Sequence, residues 1–178
     1  MNTGQMLITI GAIFLLSLVI LRVNTNLFMT DNVLDRSKID LMATSLATSA
    51  IQEATSKAFD EVTKSGNVIN TGSLTPVANL GIETGESYPL FDDIDDFNYF
   101  KNNPKIDTIF FNPTDAIYFE TFYKVDYVNE NSPETVSSSQ TWNKRLVVKV
   151  TSNAMIDDNT GLQDTMKLST IFSYWFFE

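Results

Sequence analysis

Cysteine and histidine are both absent from this 178-residue chain. Their absence excludes disulfides, thiolate nucleophiles, imidazole bases and haem-ligating histidine, and leaves only an all-carboxylate version of a zinc site. With most of the usual catalytic repertoire missing, the chain reads as no enzyme and as needing no cofactor. Cations are scarce as well: 12 Lys and Arg stand against 22 Asp and Glu, a formal net charge of -10. Such a surface repels phosphate backbones, so nucleic acid is not expected as a direct partner. The imbalance is local. Residues 1–65 carry five Lys/Arg against six Asp/Glu, whereas residues 66–178 carry seven against sixteen. The acidity therefore belongs to the part expected to face water.

Three further absences are positional. No charged side chain precedes Arg22, no glycine falls between Gly11 and Gly66, and no proline precedes Pro76. The run MLITIGAIFLLSLVIL, Met6 to Leu21, is interrupted only by Thr9, Gly11 and Ser17. Twenty helical residues reach about 30 Å, enough to cross the hydrocarbon core of a bilayer. A cleaved secretory signal would need a basic stretch ahead of the apolar run, and no Lys or Arg precedes Arg22. With no breaker before Gly66, the helix is expected to continue to residue 65. Asn24, Asn26, Thr25 and Thr30, whose side chains compete for backbone hydrogen bonds, predict local melting over residues 22–32.

Beyond that stretch Ile39, Met42, Ala43, Leu46, Ala50 and Ala54 recur at three- and four-residue spacing, an apolar stripe that needs a partner. The opposite face is neutral, with Thr44, Ser45, Thr48, Ser49, Thr55 and Ser56, and Glu53 is the one ionised residue between Leu41 and Ser56. Small neutral side chains permit close approach of helices.

Residues 66–105, punctuated by Gly66, Gly72, Pro76, Gly81, Gly85, Pro89 and Pro104, read as a connector. Strand character follows at residues 106–111, 116–128, 141–152 and 165–176. Ile117, Phe119, Tyr123, Val125 and Tyr127 alternate with Glu120, Lys124 and Asp126, and Trp142, Leu146, Val148 and Val150 with Asn143, Arg145, Lys149 and Thr151. Turn-rich links at 129–140 and 154–164 favour antiparallel neighbours. The predicted fold class is α+β: a long N-terminal helix, its distal half packed on a C-terminal antiparallel sheet. Its predicted segments are a membrane-spanning or filament-core helix (1–22), an amphipathic continuation (23–65), a loop-rich connector (66–105) and a sheet head (106–178). Asp92, Asp93, Asp95 and Asp96 invite a calcium reading, but they lack the spaced ligands and glycine of an EF-hand loop, so a solvated acidic loop is expected. Asp157, Asp158 and Asn159 read as a turn, and Phe97, Tyr99, Phe100, Phe110 and Phe111 as aromatics buried beneath the helix.

A charge-free apolar N-terminus running into an amphipathic helix, a loop region and a C-terminal antiparallel sheet resembles the type IV pilin superfamily, pseudopilins of secretion systems included. In that family the first mature residue is often apolar, and a glutamate at the fifth position pairs with a neighbouring subunit's N-terminal amine. Met1 and Gln5 stand there in this chain. Gln5 is a neutral amide that can accept from an ammonium without neutralising it. The resemblance implies a subunit held in the inner membrane, extracted by pilus assembly machinery and polymerised with its own copies into an extracellular filament on the cell surface. It also implies that Met1, Gln5, Met6, Ile10, Phe14, Leu15, Leu46 and Ala50 make the subunit contacts. Two other readings are a minor pseudopilin of a secretion apparatus and a single-pass membrane protein with an extracytoplasmic binding domain.

Overall fold

The computed structural model describes residues 2–112, 115–157 and 160–175. Its first element, α1, is a single helix over Thr3–Thr55. The chain divides into two compact units, Met1–Ile39 and Asp40–Glu178.

In the first unit every described residue from Thr3 onward is helical, so the melting expected over 22–32 does not occur. The reason lies in the hydroxyls. Thr25 donates to the carbonyl of Leu21 and Thr30 to that of Asn26, each at 2.9 Å. Thr9, Ser17 and Ser37 do the same one turn back. A hydroxyl that bonds within its own helix no longer offers the backbone an alternative.

In the second unit, α1 buries Ala43, Ala47, Ala50 and Ala54. These lie four, three and four residues apart and so share one face. The buried line runs through alanines, with Met42 and Leu46 half-buried beside it. Thr44, Thr48 and Thr55 return their hydroxyl protons to the carbonyls of Asp40, Thr44 and Ile51.

The helix ends ten residues earlier than the sequence suggested. No breaker stops it; tertiary bonds do. Ala58 donates to the carbonyl of Asp92 and accepts from the N–H of Ile94, both at 3.0 Å, while Phe59 enters the core. Asp60 then starts a short 3-10 helix, Glu61–Lys64, in a reciprocal capping arrangement with Thr63.

The sheet has five antiparallel strands: β1 (Lys105–Asn112), β2 (Asp115–Asn129), β3 (Ser132–Val136), β4 (Asn143–Ile156) and β5 (Gln163–Ser173). The order is β1-β2-β4-β5, with β3 on the far end of β2. This is the meander anticipated from the turn-rich links, with β3 as a short addition in the first of them. Val125 faces Leu146, and Val148 faces Leu168. At the β4–β5 turn Gly161 takes a φ of 66°, which favours glycine, and donates to the carbonyl of Asp157 at 2.7 Å. Asp158 and Asn159, expected in that turn, lie outside the described residues, as does Phe176 at the end of the fourth predicted strand.

One face of the sheet is dry. Phe119, Thr121, Tyr123, Val125 and Tyr127 of β2 are buried, as are Lys144, Leu146, Val148, Val150 and Ser152 of β4. The distal part of α1 packs against the sheet, where Glu53 meets Lys105 of β1 at 3.4 Å. It does not cover the sheet alone. A 3-10 helix over Asp95–Lys101, in what the sequence presented as loop, lays Phe97 and Phe100 on Tyr123 with ring centroids 5.2 and 5.5 Å apart. From the same helix the Asn98 amide accepts from the N–H of Val125 at 2.8 Å and donates to its carbonyl at 3.1 Å. The β1–β2 pairing runs only as far as Lys105 and Thr121, and Asn98 satisfies backbone that β1 no longer reaches. Of the other aromatics, Tyr99 and Phe110 are exposed, and the Phe111 side chain lies outside the described ones.

Alanine at the buried line leaves no room for a larger side chain. Ala47→Leu should destabilise the full chain in detergent micelles by about 1–3 kcal/mol in urea unfolding, and Thr48→Leu, one position round the helix, by less than about 0.5 kcal/mol.

Candidate functional site: an uncovered helix and a buried carboxylate cluster

α1 is long and apolar enough to cross a membrane, and its most apolar stretch buries none of its residues within the chain. Of the residues expected at subunit contacts, Met6, Ile10 and Phe14 lie four apart along one face, with Leu15 adjacent, and all are exposed. Gln5 is exposed too, its carbonyl accepting from Thr9. Met1 lies outside the described residues. Leu46 is half-buried and Ala50 is buried in the chain's own core.

The exposed apolar surface does not stop at Arg22. Val23, Leu27, Phe28, Met29, Val33 and Leu34 are all open, Leu34 at 52 %. Val23, Leu27 and Leu34, at spacings of four and seven, share a face. Around them Asp31 is ionisable and Asp35 pairs with Lys38 at 2.8 Å, groups that belong in water rather than hydrocarbon.

A second constellation lies where the end of α1, the connector and the sheet converge. Lys144, on the dry face of β4, is wholly buried with Asp60 and Asp95. Its ammonium reaches Asp60 at 2.9 Å, the carbonyl of Phe59 at 2.6 Å, and Asp95. The rings of Phe59 and Tyr127 flank it, with centroids 4.7 and 5.2 Å away. One cation serves two carboxylates, and they divide it unequally. Burial pushes the Asp60 carboxyl upward, but Lys144, the Tyr127 hydroxyl at 2.9 Å and the Thr75 N–H at 3.1 Å outweigh that and hold it below the usual carboxylate range. Asp95, which has Lys144 and a 3.3 Å bond from the Gly81 N–H, is pushed up by burial.

Beside this triad the acidic run is not a solvated loop. Asp93, Asp95 and Asp96 are completely buried, which corrects the sequence reading. Phe91, Ile94, Phe97 and Phe100, each three residues from the next, are buried and draw the segment inward. Three is the repeat of a 3-10 helix. The carboxylates are partly repaid in hydrogen bonds: Asp93 Oδ1 accepts from the N–H groups of Asp95 (2.9 Å) and Asp96 (3.2 Å), and Asp96 Oδ2 from those of Asp92 (3.0 Å) and Asp93 (3.3 Å). Their second oxygens have no donor. Asp93 Oδ2, Asp96 Oδ1, Glu83 Oε2 and Asp92 Oδ1 are buried and unbonded.

Carboxylates of this region come together in threes. Glu61, Glu83 and Asp93 place one ligand atom each within 4.8 Å of one another, and so do the sets Glu61, Glu86, Asp92 and Glu83, Glu86, Asp96. Among the described residues, Lys64 alone forms ion pairs with this group, to Glu61 at 2.6 Å and Asp92 at 2.5 Å. Burial, with the neighbouring carboxylates behind it, pushes Asp93 and Glu83 each up to about 8, and burial pushes Asp96 up to about 6.

No family model matches the sequence, no curated protein matches it, and no solved structure matches its fold.

Two parts of the second constellation escaped the sequence reading, and each had a signal. Lys144 sits at even spacing from Trp142, Leu146, Val148 and Val150, which puts a lysine on the apolar face. The three-residue apolar repeat from Phe91 to Phe100 marks the connector's 3-10 helix. Glu61, Glu83 and Glu86 carried no comparable signal, since only the fold brings them to Asp92–Asp96.

Removing the triad's cation should be costly. Lys144→Met leaves two carboxylates buried without a counter-charge and should lower stability by about 3–5 kcal/mol, whereas Asp95→Asn, which keeps one carboxylate per ammonium, should cost clearly less. Urea unfolding of the full chain in micelles followed by tryptophan fluorescence measures both.

Proposed function

We propose that this chain is a membrane-inserted structural subunit that polymerises through α1 into an extracellular filament of the type IV pilin kind. The supporting observation is the length of the uncovered apolar helix. About 20 helical residues suffice to cross a bilayer core, and residues 3–22 supply them. A simple anchor has no use for the further open face of Val23, Leu27 and Leu34 amid ionisable neighbours. Copies of the same helix lying side by side would cover both stretches at once. Insertion keeps residues 3–22 dry in lipid; assembly exchanges those lipid contacts for helix contacts and buries the face beyond them as well. At about 25 cal/mol per Å² of apolar surface withdrawn from water, that burial favours the polymer strongly. The acidic head, folded on its own core, then faces solvent, and its charge disfavours lateral aggregation of finished filaments.

The two stretches separate by mutation. Phe14→Arg places a charge at the middle of the span, at a cost of about 3 kcal/mol on insertion scales, and should abolish membrane retention and filaments together. Leu34→Glu should leave the chain in the membrane fraction and remove filaments from sheared cell-surface material viewed by negative stain. A Leu34→Glu chain that still forms filaments would sink the proposal.

The absence of cysteine makes a further measurement clean. Leu34→Cys should give oxidant-dependent dimers in membranes or filaments, while Thr48→Cys serves as a comparison on the head-bearing part of the helix. A Leu34→Cys chain that stays monomeric on oxidation would favour the single-pass anchor instead.

A further inference from the structure

We infer that the head binds a calcium ion between Glu61, Glu83, Glu86, Asp92, Asp93 and Asp96. Clustered carboxylates on a surface need no ion, because water solvates them. These are different: Asp93 and Asp96 are completely buried, and each has one oxygen satisfied by two backbone N–H groups and the other with no donor. Glu83 Oε2 and Asp92 Oδ1, of two carboxylates in the same group of six, are likewise buried without a donor. An unbonded buried anion is expensive, and several facing one another more so. A cation among them removes both costs.

The chemistry of the donors selects the class of cation. Glu61, Glu83 and Glu86 each belong to two of the three sets, with ligand atoms in each set within 4.8 Å of one another. Calcium takes six to eight oxygen ligands, several of them carboxylates, at about 2.3–2.6 Å. Magnesium holds its ligands at about 2.0–2.1 Å and keeps most of its water, which suits one or two carboxylates rather than six. Zinc and other softer metals find no imidazole or thiolate in the chain. Lys64, on Glu61 and Asp92, offsets one charge at the edge of the group and leaves the buried part to the ion.

The ligands come from separate pieces of chain. Glu61 follows the end of α1, Glu83 and Glu86 belong to one turn in which the Glu86 N–H donates to the Glu83 carbonyl at 3.2 Å, and Asp92, Asp93 and Asp96 enter the connector's last 3-10 helix. Calcium therefore ties the connector to the segment leaving α1, and the head is most stable when loaded. The site stands whether or not the chain polymerises.

The test uses the full chain in detergent micelles, stripped with chelator and titrated with calcium chloride by calorimetry and by thermal unfolding. One calcium ion per chain should bind, and millimolar calcium should raise the unfolding midpoint by about 5 °C or more. Glu83→Gln and Glu86→Gln, made separately, should each weaken calcium binding at least tenfold. Because each removes one of the mutually repelling charges, each calcium-free variant should be at least as stable as the calcium-free parent, which a carboxylate serving only as a structural hydrogen-bond acceptor would not produce. Asp126→Asn, in the Lys124 ion pair on β2, should respond to calcium like the parent. A parent chain that shows neither heat nor a midpoint shift overturns the site, as does a Glu83→Gln chain that keeps the full response. Equal shifts with magnesium overturn the assignment to calcium.

Discussion

The head is organised around one buried ammonium. Lys144 projects from the sheet and is met by Asp60 and the Phe59 carbonyl from the chain just after α1, and by Asp95 from the connector. Lys144 lies 84 positions from Asp60 and 49 from Asp95, so the interaction fixes the mutual placement of distant parts of the chain in a way that nonspecific apolar contact does not. A buried ion pair contributes little net stability against a well-packed apolar replacement, because desolvation offsets the Coulomb gain. What it supplies is a penalty for every arrangement in which one partner is missing. The early end of the helix follows from it: residues 58–60 cannot continue α1 and also deliver Phe59 and Asp60 to Lys144.

The same placement creates the crowding of carboxylates next to it. Once Asp95 is committed to Lys144, the short helix that carries it brings Asp93 and Asp96 inside, facing Glu61 and Glu83 across the connector. The triad is short of positive charge by one, and the neighbouring group by several. An ion that entered there would complete an electrostatic balance that the protein's own side chains leave open. On the two proposals made above, head and helix would depend on different partners: the head on charge supplied from solution, the helix on apolar surface supplied by lipid or by copies of itself.

The sequence showed what is periodic and missed what is assembled from afar. The uncharged span, the alternation along β2 and β4 and the antiparallel meander were all legible, because each rests on a repeat of two or of three to four residues within one segment. Gly and Pro dominate the first half of the loop-rich connector, while the 3-10 helix in its second half follows a repeat of three that a search for α-helix or strand passes over. The helix end was misplaced for another reason: Ala58, Phe59 and Asp60 have acceptable local propensities and leave the helix only because bonds to Asp92, Ile94 and Lys144 are worth more. The carboxylate cluster joins residues up to 35 positions apart, Glu61 to Asp96, and no local pattern records such a distance.

The hydroxyls of α1 have one more consequence. Thr9, Ser17, Thr25, Thr30, Ser37, Thr44, Thr48 and Thr55 each return their proton to a carbonyl of the same helix, one turn earlier. Their polarity is thereby self-contained: none of these groups asks its surroundings for an acceptor. These eight hydroxyls can pass from one medium to another, from acyl chains to protein or from either to water, without a proton of theirs being stranded in transit.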